Sequence, residues 1–461
     1  MKINYKIKII SCLFILILLF SFSTNGCIKP NKNINNQHIR DENKIEIIDL
    51  GKDLTKEYVS PFDNKEKGYF ISQGTVLEND IMYISGNSEN TKIHFEGVLA
   101  LNIIDNKILW KTTIKDGVFH GYLIKYNDYL YVTSDKYLTC LNKNTGKQLF
   151  KKEIECSPNL IPAVNNNILY VGGRIPPKFT SLYALNPDTG EEMYSIETGG
   201  HFEYTPTFHD NMAFYNTLGG SIFAIRYAED YATRYHFESL WGREGQNAQD
   251  SLVGSPVYWN GNIYSQYHPA AYWIVSDRYL ICYDVLTGKE KWKLLLAHYS
   301  DVPLNNTSPY EYLVKLKYKN TEYDVYYQQP FLHKDQLYLV TDKGFLVIDP
   351  PKGRIKKVIN IDHEFLYNTD FLDINENIAY WWYSTAEEHN MIYLFDLNRE
   401  MIDMVIKTPI DYKLSIRSVL FKDNYIYVLS NGGIIFIVDR ILRKNINTFR
   451  INGDLNIDKI E

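Results

Sequence analysis

The chain has 461 residues, with 49 basic and 55 acidic side chains and a formal net charge of −6. So mild an acidic balance, without a basic stripe, argues against a nucleic-acid partner. Five scattered Cys offer no disulfide framework, and 38 Tyr, 22 Phe and 7 Trp form an aromatic load suited to strands.

The chain opens on a segment that does not belong to the fold. Lys2, Lys6 and Lys8 make a positive n-region, and residues 9–22 are a nearly unbroken apolar stretch. That stretch has signal-peptide length and is short for a membrane span. Small residues follow, then Gly26-Cys27. This arrangement resembles a bacterial lipobox, although Thr24 stands where that motif usually has Leu. The resemblance implies that Cys27 is diacylated and becomes the new N-terminus, exported and anchored to a membrane of the cell envelope. Two or more acyl chains make such anchoring stable. Ile28 after the Cys gives no cue for retention in the inner membrane; the outer membrane, on its periplasmic or surface side, is the expected site, with the inner membrane left open. An uncleaved anchor or an ordinary secretory signal are the alternatives. Residues 28–44 are polar, Asn-rich and aperiodic, and read as a flexible tether.

Residues 45–461 read as a single all-β domain built from one repeated pattern. Residues 45–50 (IEIIDL) are an orphan strand that either closes a ring or adds an edge. After it, an apolar strand ending in Asn or Asp, a turn and a bulky residue recur eight times. Second strands of the repeat are expected at 81–85, 129–133, 168–172, 212–216, 262–266, 336–341, 378–382 and 425–430. Third strands are expected at 98–101, 137–141, 181–185, 221–225, 279–284, 345–349, 391–396 and 433–439. The turns entering the second strands are rich in Asn, Asp and Gly, as tight hairpins with positive φ require. A period of about 40–50 residues made only of strands indicates a β-propeller of four-stranded antiparallel blades. Eight blades are expected, with seven as the alternative, because the fourth copy lacks the Thr-Gly turn and the last two are degenerate.

The best copies are Leu182-Tyr-Ala-Leu-Asn186 with Thr189-Gly190, and Leu280-Ile-Cys-Tyr-Asp284 with Thr287-Gly288 and Trp292. Leu138-Thr-Cys-Leu-Asn142 with Thr145-Gly146 and Phe150 is a third, and residues 99–110, ending at Trp110, a partial fourth. The pattern resembles the repeat of pyrroloquinoline-quinone (PQQ)-type propellers over residues 69 to about 450. The resemblance implies that Gly146, Gly190, Gly288, Trp110 and Trp292 are architectural, the Trp docking one blade on the next. Cys140 and Cys282 hold equivalent repeat positions and read as small core residues. A lipobox followed by such a propeller is also similar in architecture to the scaffold lipoprotein of the outer-membrane β-barrel assembly machinery.

Function is less legible, because a propeller carries many unrelated sites. Second-to-third and inter-blade connections are the long ones and emerge on one face, where functional loops concentrate. The elaborate members are 86–97, 172–180, 226–252, 266–278, 297–329 and 383–390. Segment 297–329 is expected to hold a hairpin projecting from the ring, with Tyr310, Tyr312, Tyr323, Tyr326 and Tyr327 as interface anchors. Deleting 300–326 is then expected to leave the ring folded. The candidate binding face also holds His201, Glu203, Tyr204, His268, Tyr272, Trp273, Trp382 and His389. These could line an aromatic pocket for a small ligand or sugar, or serve as ordinary funnel packing. Their spacing is not that of a metal site, so no metal is expected. The PQQ dehydrogenases stack the quinone on a vicinal Cys-Cys disulfide, which this chain lacks, so no cofactor is expected. Paired carboxylates from Glu203, Asp250 or Glu387 are the resource of a propeller glycosidase, without a spacing that joins them. The reading is therefore a non-catalytic, membrane-anchored scaffold with a protein partner. A ligand- or glycan-binding propeller is the alternative.

Overall fold

A computed structural model describes residues 47–50 and 69–459, less the connections 90–93, 115–121, 135–136, 155–160, 173–179, 199–204, 218–220, 230–234, 244–249, 270–276, 300–312, 326–328, 362–370, 384–390, 409–415, 431 and 453. Ile45–Glu461 forms one compact unit. It is an eight-bladed β-propeller of four-stranded antiparallel blades. Blade one runs Tyr69–Glu78, Ile81–Glu89, His94–Asn102 and Lys107–Thr113. Blade eight runs Ile416–Lys422, Tyr425–Ser430, Ile434–Asp439 and Lys444–Ile451. First strands of neighbouring blades approach one another, so they are innermost. Fourth strands are outermost, and Lys107–Thr113 alternates exposed and half-buried residues accordingly.

Two local devices repeat around the ring. In all eight blades the first two strands join through a two-residue turn, as in Glu78↔Ile81, Trp259↔Asn262 and Lys422↔Tyr425. Positive φ at Asn79, Asn127, Asp210, Asn260 and Asp423 explains the Asn and Asp written there. Lys334 and Glu376 adopt the same conformation without that chemistry. The second device follows the third strand, whose closing Asn or Asp caps a turn. The Asn142 carboxamide oxygen accepts from the amides of Asn144 and Thr145, at 3.0 Å each. Asn102, Asn186, Asp284, Asp396 and Asp439 do the same. Four residues on, the chain turns left-handed, and Gly146 donates its amide back to the Asn142 carbonyl at 2.8 Å.

Blades dock through that second turn. A β-bulge recurs at this place, and in blades one, two, four and five it sets an aromatic fourth-strand residue opposite a small third-strand residue: Trp110 on Ala100, Phe150 on Cys140, Trp241 on Ala224, Trp292 on Cys282. This explains both buried cysteines, since only a small side chain fits beneath the ring. Each ring then lies on the turn of the next blade. The indole N–H of Trp110 donates to Lys143 O at 3.0 Å, that of Trp241 to Val285 O at 2.9 Å, and that of Trp292 to Pro350 O at 3.0 Å. A Cβ at Gly146, Gly190, Gly288 or Gly353 would come within 2.4–2.6 Å of Trp110, Phe150, Trp241 or Trp292 respectively. The architectural roles expected of Trp110 and Trp292 are thus observed. Trp241 and Gly353 play the same part outside the recognisable motif.

The degenerate copies replace ring-on-glycine docking with charge. Blade seven turns on Glu400 and blade eight on Arg443, both at positive φ. Lys357 of blade six pairs with Glu400, and Asp403 of blade seven receives Arg443 at 3.0 Å and Arg440 at 3.3 Å.

Among the described residues the ring closes by side-chain packing, with no strand shared between blades one and eight. Met82, Leu99 and Phe95 of blade one share an apolar cluster with Leu429, Ile435 and Phe449 of blade eight. Lys422 and Asp80 form an ion pair across the same seam. The orphan strand, Ile47–Asp49, adds a fifth, parallel edge strand to Met401–Lys407 of blade seven. Ile48 and Leu50 are buried between blades seven and eight.

Candidate functional site

The long-connection end is most elaborate at blade five. Its fourth strand, Glu290–Tyr299, continues past its neighbours and pairs with Leu313–Tyr318, which pairs with Thr321–Tyr323. The hairpin expected in 297–329 is present at Leu313–Tyr323, with its turn exposed at Lys319 and Asn320 and its returning strand packed against blade six. Tyr323 and Val325 are buried with Leu337 and Leu339 of blade six, and Val325 bridges to Thr341. The described part of the segment, 313–325, is therefore an extension of the ring whose returning strand is packed, and Tyr323 is a core residue, not an interface anchor.

Beside this extension lies a polar group. Asp277 stands just before the third strand of blade five, Arg278–Asp284. One carboxylate oxygen meets His298 Nδ1 at 2.5 Å, and the other accepts from the Tyr279 hydroxyl at 2.8 Å. Burial first, then Asp277, pushes the Tyr279 phenol up to about 12. His298 is exposed, so its ring is offered to solvent with one nitrogen already held. Adjacent Arg278 is buried and approaches Asp324 at 3.8 Å, while Lys315 reaches the same carboxylate at 3.5 Å. Asp342 accepts from the Asp324 amide at 2.9 Å and ties the extension to blade six. Chemically this is an oriented imidazole on a rigid polar platform, suited to recognition by hydrogen bonds and charge. Sequence reading missed it, because Asp277, His298 and Asp324 are brought together only by strand register.

Of the expected site residues, Trp382 is buried among Tyr380, Ile392, Ile416 and Val428 between blades seven and eight. It belongs to the core and not to a binding face. It faces inward because second-strand residues sit between blade layers. His268 lies in the second strand of blade five, Asn262–Pro269, opposite Ser251. His201, Glu203, Tyr204, Tyr272, Trp273, His389, Tyr310, Tyr312 and Cys27 lie outside the described residues. Two of the supposed long connections are largely strand. Residues 86–89 and 94–97 pair in blade one, and 226–229 pairs with 235–238 at the opposite end of blade four. Among the described residues, no group of three or more His, Cys, Asp or Glu is placed to hold a metal ion.

The fold and its docking turns define a PQQ-like β-propeller. Within that class, residues 134–234 match the family model described as outer membrane protein assembly factor BamB. No curated protein matches the chain in sequence. Solved structures share the fold, three of them as follows. The computationally designed Ika8 protein is 12% identical with a TM-score of 0.54, over 84% of this chain and 99% of that one. BamB from Moraxella catarrhalis is 13% identical with a TM-score of 0.51, over 81% and 96%. The dihydro-heme d1 dehydrogenase NirN is 11% identical with a TM-score of 0.52, over 89% and 78%. The likeness to PQQ-type propellers raises the question of a quinone. Cys140 and Cys282 are buried apart, in blades two and five, each beneath its own aromatic ring. Burial pushes their thiols up, to about 12 and about 11. They do not supply the vicinal pair on which a quinone would stack.

Proposed function

We propose that this protein is a non-catalytic scaffold of the cell envelope, lipid-anchored at Cys27, that binds a protein partner through the long-connection end of the ring. The observation carrying this reading is the match of residues 134–234 to the BamB model. It is supported by the Gly26-Cys27 motif and by the platform around Asp277, His298 and Asp324. A rigid ring with one elaborated end suits partner recognition, which concentrates energy in a few anchored groups.

The test is affinity isolation of the tagged full chain from detergent-solubilised envelope. Co-isolation of outer-membrane assembly proteins supports the scaffold reading. Recovery of the chain alone contradicts it. Cys27→Ala should release the chain from membranes or leave it uncleaved, and persistent fatty-acid labelling of that variant would refute the anchor. A second reading, binding of a small polar ligand, draws on the exposed His298 held by Asp277. His298→Ala would then abolish ligand-induced thermal stabilisation while leaving partner recovery unchanged.

A further inference from the structure

The opposite end of the ring carries an anomaly. The turn between third and fourth strands is exposed and polar in blades two, three and seven, at Asn144, Asp188 and Asn398. Blade eight instead writes Arg440-Ile-Leu-Arg-Lys444, and Ile441 and Leu442 are 68% and 60% exposed. Next to it in the ring, the blade-one turn presents Ile104, also 68% exposed. Ile103, just before it, packs in the cluster shared with blade eight. Ile446 is exposed on the blade-eight strand between these turns. Side chains this apolar, grouped on adjoining blades, mark a contact surface.

Charge and chain direction say what it contacts. Arg399, Arg440 and Arg443 converge on one carboxylate, Asp403, and Lys444 is exposed beside them. Asp439 is occupied in capping the turn. The cluster therefore keeps a net positive charge around two protruding aliphatic residues. The edge strand Ile47–Asp49 runs parallel to Met401–Lys407, whose amino-terminal end follows the Glu400 turn. The chain thus enters the ring from this turn-bearing end, on the blade adjoining Ile441.

We propose that the turn-bearing rim of blades eight and one rests on an anionic lipid surface, with Ile441, Leu442 and Ile104 at the headgroup boundary. Apolar tips flanked by cations, as Ile441 and Leu442 are by Arg440, Arg443 and Lys444, are the chemistry of interfacial binding, and Asp105 beside Ile104 is the one exposed carboxylate next to these tips in sequence. The inference builds on the membrane-anchored reading, and it would tilt the ring so that the long-connection end faces away from the lipid.

The experiment uses the full chain in vesicles of phosphatidylethanolamine and phosphatidylglycerol containing spin-labelled lipid. An environment-sensitive fluorescent amino acid replaces Leu442, Ile104 or, as a control across the ring, Leu286, which is 57% exposed at the matching turn of blade five. The expected result is quenching several-fold stronger at 442 and 104 than at 286, reduced at 104 by Ile441→Asp with Leu442→Asp. Equal quenching at all three sites would overturn the rim contact. So would a floated chain with no quenching, which leaves the anchor standing, or a chain that neither floats nor quenches, which removes both. A probe at 442 shielded without lipid quenching, with a doubled mass by light scattering, would assign the patch to a second copy instead.

Discussion

At the scale of single residues, one glycine decides whether an aromatic ring can dock. Gly353 has a φ of 59° and lies under Trp292, with no room for a Cβ. Gly353→Ala should cost about 1–2 kcal/mol from the left-handed backbone alone, with more from displacing the indole. Trp292→Ala should cost about 3 kcal/mol. Both would be read from denaturant melts, and an unchanged midpoint in either would contradict the docking role. Asp284 makes a second test. Hydrogen bonding from Lys291, then from the Thr287 hydroxyl and amide, outweighs burial and holds its carboxyl at about 2. Its folded value is depressed, so its contribution is full above about pH 4 and is lost as pH falls towards 2. Asp284→Asn keeps the turn cap, as Asn102, Asn142 and Asn186 do in their blades. That variant should lose less melting temperature than the parent between pH 4 and pH 2. An identical acid limb in both proteins would refute the assignment.

At the scale of elements, the extension of blade five and the edge strand of blade seven behave as parts of the core. Deleting 300–326 removes Tyr323 and Val325 from the interface of blades five and six. It should destabilise the ring by more than about 3 kcal/mol, measured by circular dichroism melts. A deletion variant melting with the parent would restore the view of the hairpin as decoration. Ile48→Ala should likewise cost about 2 kcal/mol or more, since Ile48 is buried between blades seven and eight. The sequence showed the hairpin through its Lys319-Asn320 turn, where positive φ is a local demand. It did not show the seat of the hairpin, because Tyr323 looks the same whether it is exposed or packed on Leu337. The docking of blades seven and eight was hidden for the same reason. Glu400, Asp403 and Arg443 resemble surface charges until the turns of successive blades are superimposed.

At the scale of the whole molecule, the ring was readable because each blade repeats two turns whose chemistry is local. Asn79, Asn127 and Asp210 announce second strands, and Asn142, Asn186 and Asp284 announce fourth strands. The site was not readable, because it depends on register between segments far apart, as in Asp277 with His298. Trp382 illustrates the converse: aromatic density in the sequence pointed to a face, and the residue fills the core. The proposed working surface of the scaffold is the long-connection end of blade five. The most direct measurement is photo-crosslinking in cells from position 298 on that end and from position 188 on the opposite end. A discrete crosslinked protein is expected from 298 and none from 188. Capture from 188 alone, or from neither position, would contradict that assignment.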